Sequence, residues 1–433
     1  MPLRARLGGI HLNYVGTTRP IHDAKGKATG YTKYAGDISL PNMAYLCMLH
    51  SKIPHGYVKA VHAEKALALP GVYGVFHCLN TTDRKYNRYR SSFDQAYLPN
   101  EERTFNQYVR FVGDKIGVIA ACDQETAEKA ARLVEVEYEE LPFSIGFDDT
   151  LAGKNCLEGE TPVRDEYTLE VGEKQESPEG LIEVCSTMEL PRLHHATMET
   201  HACIADYDPY SDMLTVYCPN QAVHGIRTVL ADYLEMPESH VRVVKATMGG
   251  SFGAKQEWFL EPVTALVAKK LCRPVKLVYS RGEAMTDTIV RGAMRMSARG
   301  YYTPDGEMKE IYCDVTLDAG AYIGNAGDYV RALAGKPTRC YRIPYMHYHG
   351  QVISSNSPVS GAFRSWSAAE EALMMERQLD AAAEKLGMDR LAIRLKNVAR
   401  SGEEDKKLHL SLEDIRIGDA IALGSEKFGW DKL

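Results

Sequence analysis

Residues 241–255 read Val-Arg-Val-Val-Lys-Ala-Thr-Met-Gly-Gly-Ser-Phe-Gly-Ala-Lys. The apolar opening predicts a strand and the glycines a tight turn, while a helix is predicted over 256–271, with Leu260, Val263, Thr264 and Val267 on one face and Pro274 beyond its end. Glycines at such a point let backbone approach a ligand closely, and the helix N-terminus after it offers unpaired N–H groups to an anionic cofactor group. The stretch matches neither GxxxxGK[ST] nor GxGxxG, so the common nucleotide-binding loops do not apply. Taken alone, a purely structural strand-to-helix turn explains it as well as a cofactor loop does.

Working outward, Ser360-Gly-Ala-Phe-Arg-Ser-Trp366 precedes a second predicted helix. Ser367 and Glu370 have capping-box spacing, Leu379, Ala382, Ala383 and Leu386 share a face, and Gly387 ends it. Phe363 and Trp366 beside Arg364 suggest a flat apolar slot with one cation, suited to a planar substrate. A loop anchored by buried aromatics, with Arg364 in an ion pair, is the competing interpretation. Further upstream, Asp123 caps a predicted helix with Ala127, Ala130, Ala131 and Val134 on one face, and Val134, Val136 and Tyr138 then alternate with glutamates as in a half-buried strand. Leu141-Pro142 closes this first unit, and residues 143–183, rich in glycine and acid, predict a surface linker. The expected organisation is therefore 1–142, a linker over 143–183, and a mixed unit over 184–433, an α+β fold.

The chain has 433 residues, enough for two or three domains, and 51 Lys+Arg against 58 Asp+Glu, a formal net charge of −7 that argues against nucleic acid as a partner. No stretch reaches the roughly 18 apolar residues of a membrane span, and the first twenty residues carry Arg4, Arg6 and Arg19 rather than a signal-peptide pattern, which predicts a cytoplasmic protein. The closest two of ten cysteines, Cys203 and Cys218, lie 15 apart, so there is no CxxC motif; all ten are expected to be small buried hydrophobes, with no iron–sulfur cluster in this chain.

Several segments together resemble one family. Gly249-Gly-Ser-Phe-Gly-Ala-Lys255 is similar to the GGGFGGK loop of molybdenum hydroxylases, and Gly361-Ala-Phe-Arg-Ser-Trp366 to their GAFRGFG loop. Asp318-Ala-Gly-Ala-Tyr322, Tyr341-Arg-Ile-Pro344 and His195-Ala-Thr-Met-Glu-Thr-His201 resemble the family's DxGAY, YxIPN and HxxMEPH segments, in the family's order. Arg19-Pro-Ile-His-Asp23, Lys27-Ala-Thr-Gly30, Val109-Arg-Phe-Val-Gly-Asp114 and Val136-Glu-Tyr-Glu-Glu-Leu-Pro142 resemble its hammerhead domain. The chain thus looks like a molybdopterin-binding large subunit of the xanthine dehydrogenase/aldehyde oxidase family, in the split form of nicotinate dehydrogenase-like enzymes: an N-terminal α/β-hammerhead domain, then the first half of a mixed α+β molybdopterin-binding domain.

The resemblance implies molybdopterin, free or as its cytosine dinucleotide, with the molybdenum held by the pterin and no metal ligand from the protein. It implies oxidative hydroxylation of an electron-poor carbon, in a planar N-heterocycle of purine or nicotinate type or in an aldehyde, with water as oxygen source. By position Gln221, Gly250, Phe252, Gly253 and Arg364 would contact the cofactor, Phe363 and Trp366 would line the substrate slot, and Arg331 and Gln256 would face the substrate. No GxGE segment is present, so the base glutamate is expected on a second molybdopterin-binding subunit. An iron–sulfur subunit with [2Fe–2S] clusters and an FAD subunit would carry the electrons away. Ser251, Ala254, Ser365 and Ser367 replace family glycines, Thr200 a proline, and Gln256 a glutamate of some purine hydroxylases, which puts purine specificity in doubt. Two alternatives remain: reductive dehydroxylation of an aromatic CoA thioester, and a non-catalytic scaffold subunit. Carbon monoxide oxidation fits less well, since the loop before Trp366 lacks a copper-binding cysteine.

Overall fold

The computed structural model describes residues 17–89, 99–157, 159–174 and 180–432, so parts of the expected first unit (1–16 and 90–98) lie outside the described residues. In that unit β1 (Ala44–His50), β3 (Val72–His77) and β4 (Lys115–Ala121) are antiparallel neighbours, while β2 (Gly56–His62) pairs with β5 (Glu135–Glu140). Helix α1 (Gln124–Ala131) lies between β4 and β5. Asp123 caps it through the Thr126 N–H at 2.7 Å, as its sequence predicts. Val136 and Tyr138 of β5 turn inward and its glutamates outward.

Residues 143–183 are not a simple linker. They contain β6 (Val163–Gly172), in which Tyr167, Leu169 and Val171 alternate with Glu166, Thr168 and Glu170. Together with β7 (Ile182–Leu190), β12 (Ala293–Tyr302), β13 (Met308–Asp318) and β14 (Tyr345–Ile353), it builds a five-stranded sheet in the order β7-β12-β13-β14-β6. The period-two signal was there. Acidic residues on the solvent face obscured it, because one wet face is normal for an antiparallel edge.

A second sheet crosses the expected domain boundary. Strands β8 (Ala202–Asp208), β9 (Met213–Cys218), β10 (Val241–Lys245) and β11 (Val275–Val278) join the first unit in the order β10-β9-β8-β11-β1-β4-β3, with β11 parallel to β1. One core fills one face of this sheet, uniting Leu46 and Val118 with Val216, Leu277 and the α2 (Val223–Leu234) and α3 (Glu261–Leu271) residues Ile226 and Val263. Full burial of such side chains contributes about 1.5–3 kcal/mol each.

One helix start and one helix cap differ from expectation. Helix α3 begins at Glu261, not 256, because Pro262 is tolerated only in a first turn, and residues 256–260 extend the glycine turn. Helix α4 (Ala368–Leu386) ends at left-handed Gly387 as predicted, but Ser367 does not cap it. Ser367 is itself left-handed (φ 66°), its hydroxyl meets Lys336 Nζ at 2.6 Å, and Glu370 is committed to Arg291 at 2.8 Å. Cys203, Cys218 and Cys313 are buried, whereas Cys122, Cys185 and Cys272 are exposed, against the expectation for all ten. Among the described residues no helix is long and apolar enough to cross a membrane, and no group of three or more His, Cys, Asp or Glu is placed to hold a metal ion.

Candidate functional site

The turn that follows β10 is clamped from beneath by the segment 195–201. Glu199 Oε2 accepts from the Gly249 N–H at 2.7 Å and from Lys255 Nζ at 2.6 Å, so one carboxylate grips both ends of the loop. Lys255 is buried and also donates to the Glu199 carbonyl at 3.0 Å; burial lowers its pKa against the pull of Glu199. His201 Nε2 donates to Ala254 O at 3.0 Å. His195 Nε2 donates to Ala362 O at 2.8 Å and thereby ties in the second loop. Burial pushes both imidazoles down to about 4, so they serve as neutral struts.

The two loops meet at Gly253. A Cβ there would lie 2.4 Å from Ala362 O, and the residue's φ is +108°, so only glycine allows this approach. Phe252, also left-handed at φ 55°, is exposed. The backbone N–H groups of Gly250, Ser251, Phe252 and Gly253 have no acceptor among the described residues. Successive N–H groups left open on a rigid turn form a concave donor set for an anionic or electron-rich group. Gln221 stands beside this row, its N–H on Lys255 O at 2.8 Å and its Oε1 accepting from the Ser251 hydroxyl.

Phe363 enters the site half-buried, its ring packed by His195, 4.4 Å from its centroid, and by the Arg291 guanidinium at 4.1 Å. Arg364 is exposed and has no hydrogen bond or ion pair among the described residues. Trp366 packs against both large cores, stacked on Tyr89 (6.1 Å, 28°) and tilted on Tyr329 (5.4 Å, 59°), while its carbonyl accepts from Lys336. This is the arrangement of an anchor.

Arg331 is not brought to the loops. It lies on α5 (Ala326–Ala334), where Tyr329 faces Trp366 and Arg331, two residues and about 200° further round, points to β6. There Asp165 holds its guanidinium through two bonds of 2.6 and 2.8 Å, so it is engaged structurally. Gln256 is half-buried, its N–H on Gly253 O at 3.1 Å. Sequence reading singled out neither Glu199 and Lys255 as a pair nor the partner of Ser251. It also missed Glu257, although a charged residue directly before the apolar run Trp258-Phe-Leu260 was a visible oddity. This carboxyl is fully buried, and burial raises its pKa to about 8.

Comparison with known proteins identifies the two units. Residues 29–142 match the aldehyde oxidase and xanthine dehydrogenase a/b hammerhead domain, and residues 162–398 the molybdopterin cofactor-binding domain. The xanthine dehydrogenase molybdenum-binding subunit of Escherichia coli O157:H7 is 30% identical over 95% of this chain, which spans 55% of that subunit, about half its length. The nicotinate dehydrogenase large molybdopterin subunit of Eubacterium barkeri is 30% identical, with 88% of each chain covered. In fold, the chain resembles quinoline 2-oxidoreductase from Pseudomonas putida 86 (TM-score 0.87, 23% identity, 95% of this chain and 54% of that one). The aldehyde oxidoreductase of Desulfovibrio desulfuricans gives a TM-score of 0.88 at 21% identity, over 95% and 47%. With its hammerhead unit joined to a molybdopterin-binding unit through one shared sheet, the chain belongs to the xanthine dehydrogenase and aldehyde oxidase family.

Proposed function

We propose that the surface formed by Gln221, the turn 250–253 and Arg364 holds one face of a molybdopterin, free or as its cytosine dinucleotide. The completed enzyme would hydroxylate an electron-poor carbon, in a planar N-heterocycle of purine or nicotinate type or in an aldehyde, with water as oxygen source. The observation that carries this reading is the row of open N–H groups on a turn fixed at both ends by Glu199. When bound, the cofactor supplies the redox centre that takes two electrons from the substrate carbon.

This chain's residues bind and orient. Since Ser251 occupies Oε1 of Gln221, the amide's NH2 is left to donate outward, toward an oxygen on the cofactor. Gly250, Phe252 and Gly253 add fixed backbone dipoles that need no reorganisation during reaction. Arg364 supplies a cation at the lip of the site, and Phe363 an apolar ring. Gln256, one turn inward, has an uncharged amide where a glutamate would favour purine-like hydrogen bonding.

Completion of the site falls to other chains in this reading: a second molybdopterin-binding subunit with a GxGE glutamate as base, an iron–sulfur subunit with [2Fe–2S] clusters, and an FAD subunit, assembled in the cytoplasm. A relative named as the large molybdopterin subunit of a nicotinate dehydrogenase supports it. The test is to isolate the chain with the proteins it carries, measure molybdenum, and assay nicotinate, hypoxanthine and an aldehyde in ¹⁸O-water with an artificial electron acceptor. Stoichiometric molybdenum and ¹⁸O in the product are expected. A complex without molybdenum, or a product oxygen that does not come from water, would overturn the reading.

A further inference from the structure

Glu257 is the point at which four separated segments meet. Its side chain is fully buried, and Oε1 accepts from Asn325 Nδ2 at 2.8 Å, at the start of α5. The carboxylate also accepts from the Ala362 N–H, in the loop that ends at Trp366. Its main-chain carbonyl accepts from Asn220 Nδ2 at 2.9 Å, directly before Gln221. A Cβ at Gly361 would lie 2.3 Å from Oε1, so that glycine is required by the carboxyl beneath it.

We infer that Glu257 is a positioning residue that fixes the loop 361–366 against the turn 249–255 and Gln221, so that the cofactor-facing groups of both loops keep one spacing. The inference rests on the reading of these loops as the cofactor surface. Loops anchored separately would drift by fractions of an ångström, whereas a buried residue that directly follows the turn 249–255, with its side chain bonded to the loop 361–366 and to Asn325 and its carbonyl to Asn220, couples their positions. The chemistry of the pocket suits a neutral group. Oε2 is buried without a hydrogen-bond partner among the described residues, and the nearby Arg88 is already paired with Glu102 at 2.5 Å while lying between the Phe259 and Tyr322 rings. Burial raises the carboxyl's pKa and outweighs the pull of Arg88, which is shared with Glu102. A glutamine would therefore keep the shape and the accepted bonds, while an alanine would lose both.

Hydrogen exchange on the full chain, with whatever partners it carries, tests this. Glu257→Ala is expected to speed amide exchange about tenfold or more at both 220–222 and 361–367, with β4 unchanged, and Glu257→Gln to stay within about threefold of the wild type. Unchanged exchange in Glu257→Ala overturns the inference, as does a uniform rise that includes β4, or a Glu257→Gln variant as loose as the alanine one. If Glu257→Ala does not fold, Asn325→Ala carries the test: exchange must rise at 361–367, which Asn325 does not bond, and a rise confined to 324–327 overturns it. Pterin content measured on the same samples reports on the cofactor reading separately, since exchange is read whether or not cofactor is present.

Discussion

The Ser251 hydroxyl donates to Oε1 of Gln221, and the Lys255 N–H donates at 3.2 Å to that same hydroxyl oxygen. A residue that looks like a departure from a glycine motif therefore has work: it sets which end of the Gln221 amide faces outward.

Gln221→Ala should leave stability within about 0.5 kcal/mol, because the side chain is exposed, yet lower turnover per molybdenum roughly tenfold or more. Ser251→Ala, which frees the amide to rotate, should produce a smaller loss in the same direction. Steady-state rates and thermal melts on matched preparations check both. A molybdenum-replete Gln221→Ala variant with full turnover would remove the residue from the site.

Lys255→Met should destabilise the chain by about 3 kcal/mol, since it strands a half-buried carboxylate that now grips the turn alone. Glu199→Gln with Lys255→Met should recover part of that loss. Chemical denaturation of the three variants gives the coupling, and simple addition of the two single effects would show the pair to be inert.

Acid sensitivity should originate in the two neutral struts. His195 and His201 have pKa values lowered from 6.5 to about 4, so the unfolded chain takes up protons first as pH falls; stability is full above 6.5 and is lost toward 4. Each imidazole accounts for about 3 kcal/mol across that window. Melting temperatures recorded from pH 7.5 to 5 should fall less steeply in His201→Asn than in the wild type; equal slopes would point to other groups.

Trp366→Ala should cost about 3 kcal/mol of stability, because the indole packs on Tyr89 and Tyr329 and against both large cores. A variant of native stability whose only defect is a raised KM for a flat heterocycle would instead make the indole a wall of the substrate slot.

What could be read from sequence was local. The Asp123 cap, the α1 face, the alternation of β5 and the stop at Gly387 each depend on residues within one turn or a few positions. Long-range partners escaped. Ser367 and Glu370 have the spacing of a capping box, yet Lys336 and Arg291, distant in sequence, claim them. Arg331 sits near a family position, but Asp165 on the strand hidden in the supposed linker holds it. The motifs identified the two loops of the site; that Gly253 lies against Ala362, with His195 and Glu257 joining the loops, depends on contacts that no local pattern encodes.

The parallel pairing of β1 with β11, Tyr45 opposite Lys276 and Leu46 opposite Leu277, makes the two family units a single mechanical object. A scissile site placed near residue 142 would sever no rung of that ladder, yet a piece carrying 162–398 alone would present β11 as a bare edge, an invitation to aggregate. Supplied together, the two pieces have complementary edges and the halves of one core, the conditions under which split fragments find each other and reconstitute.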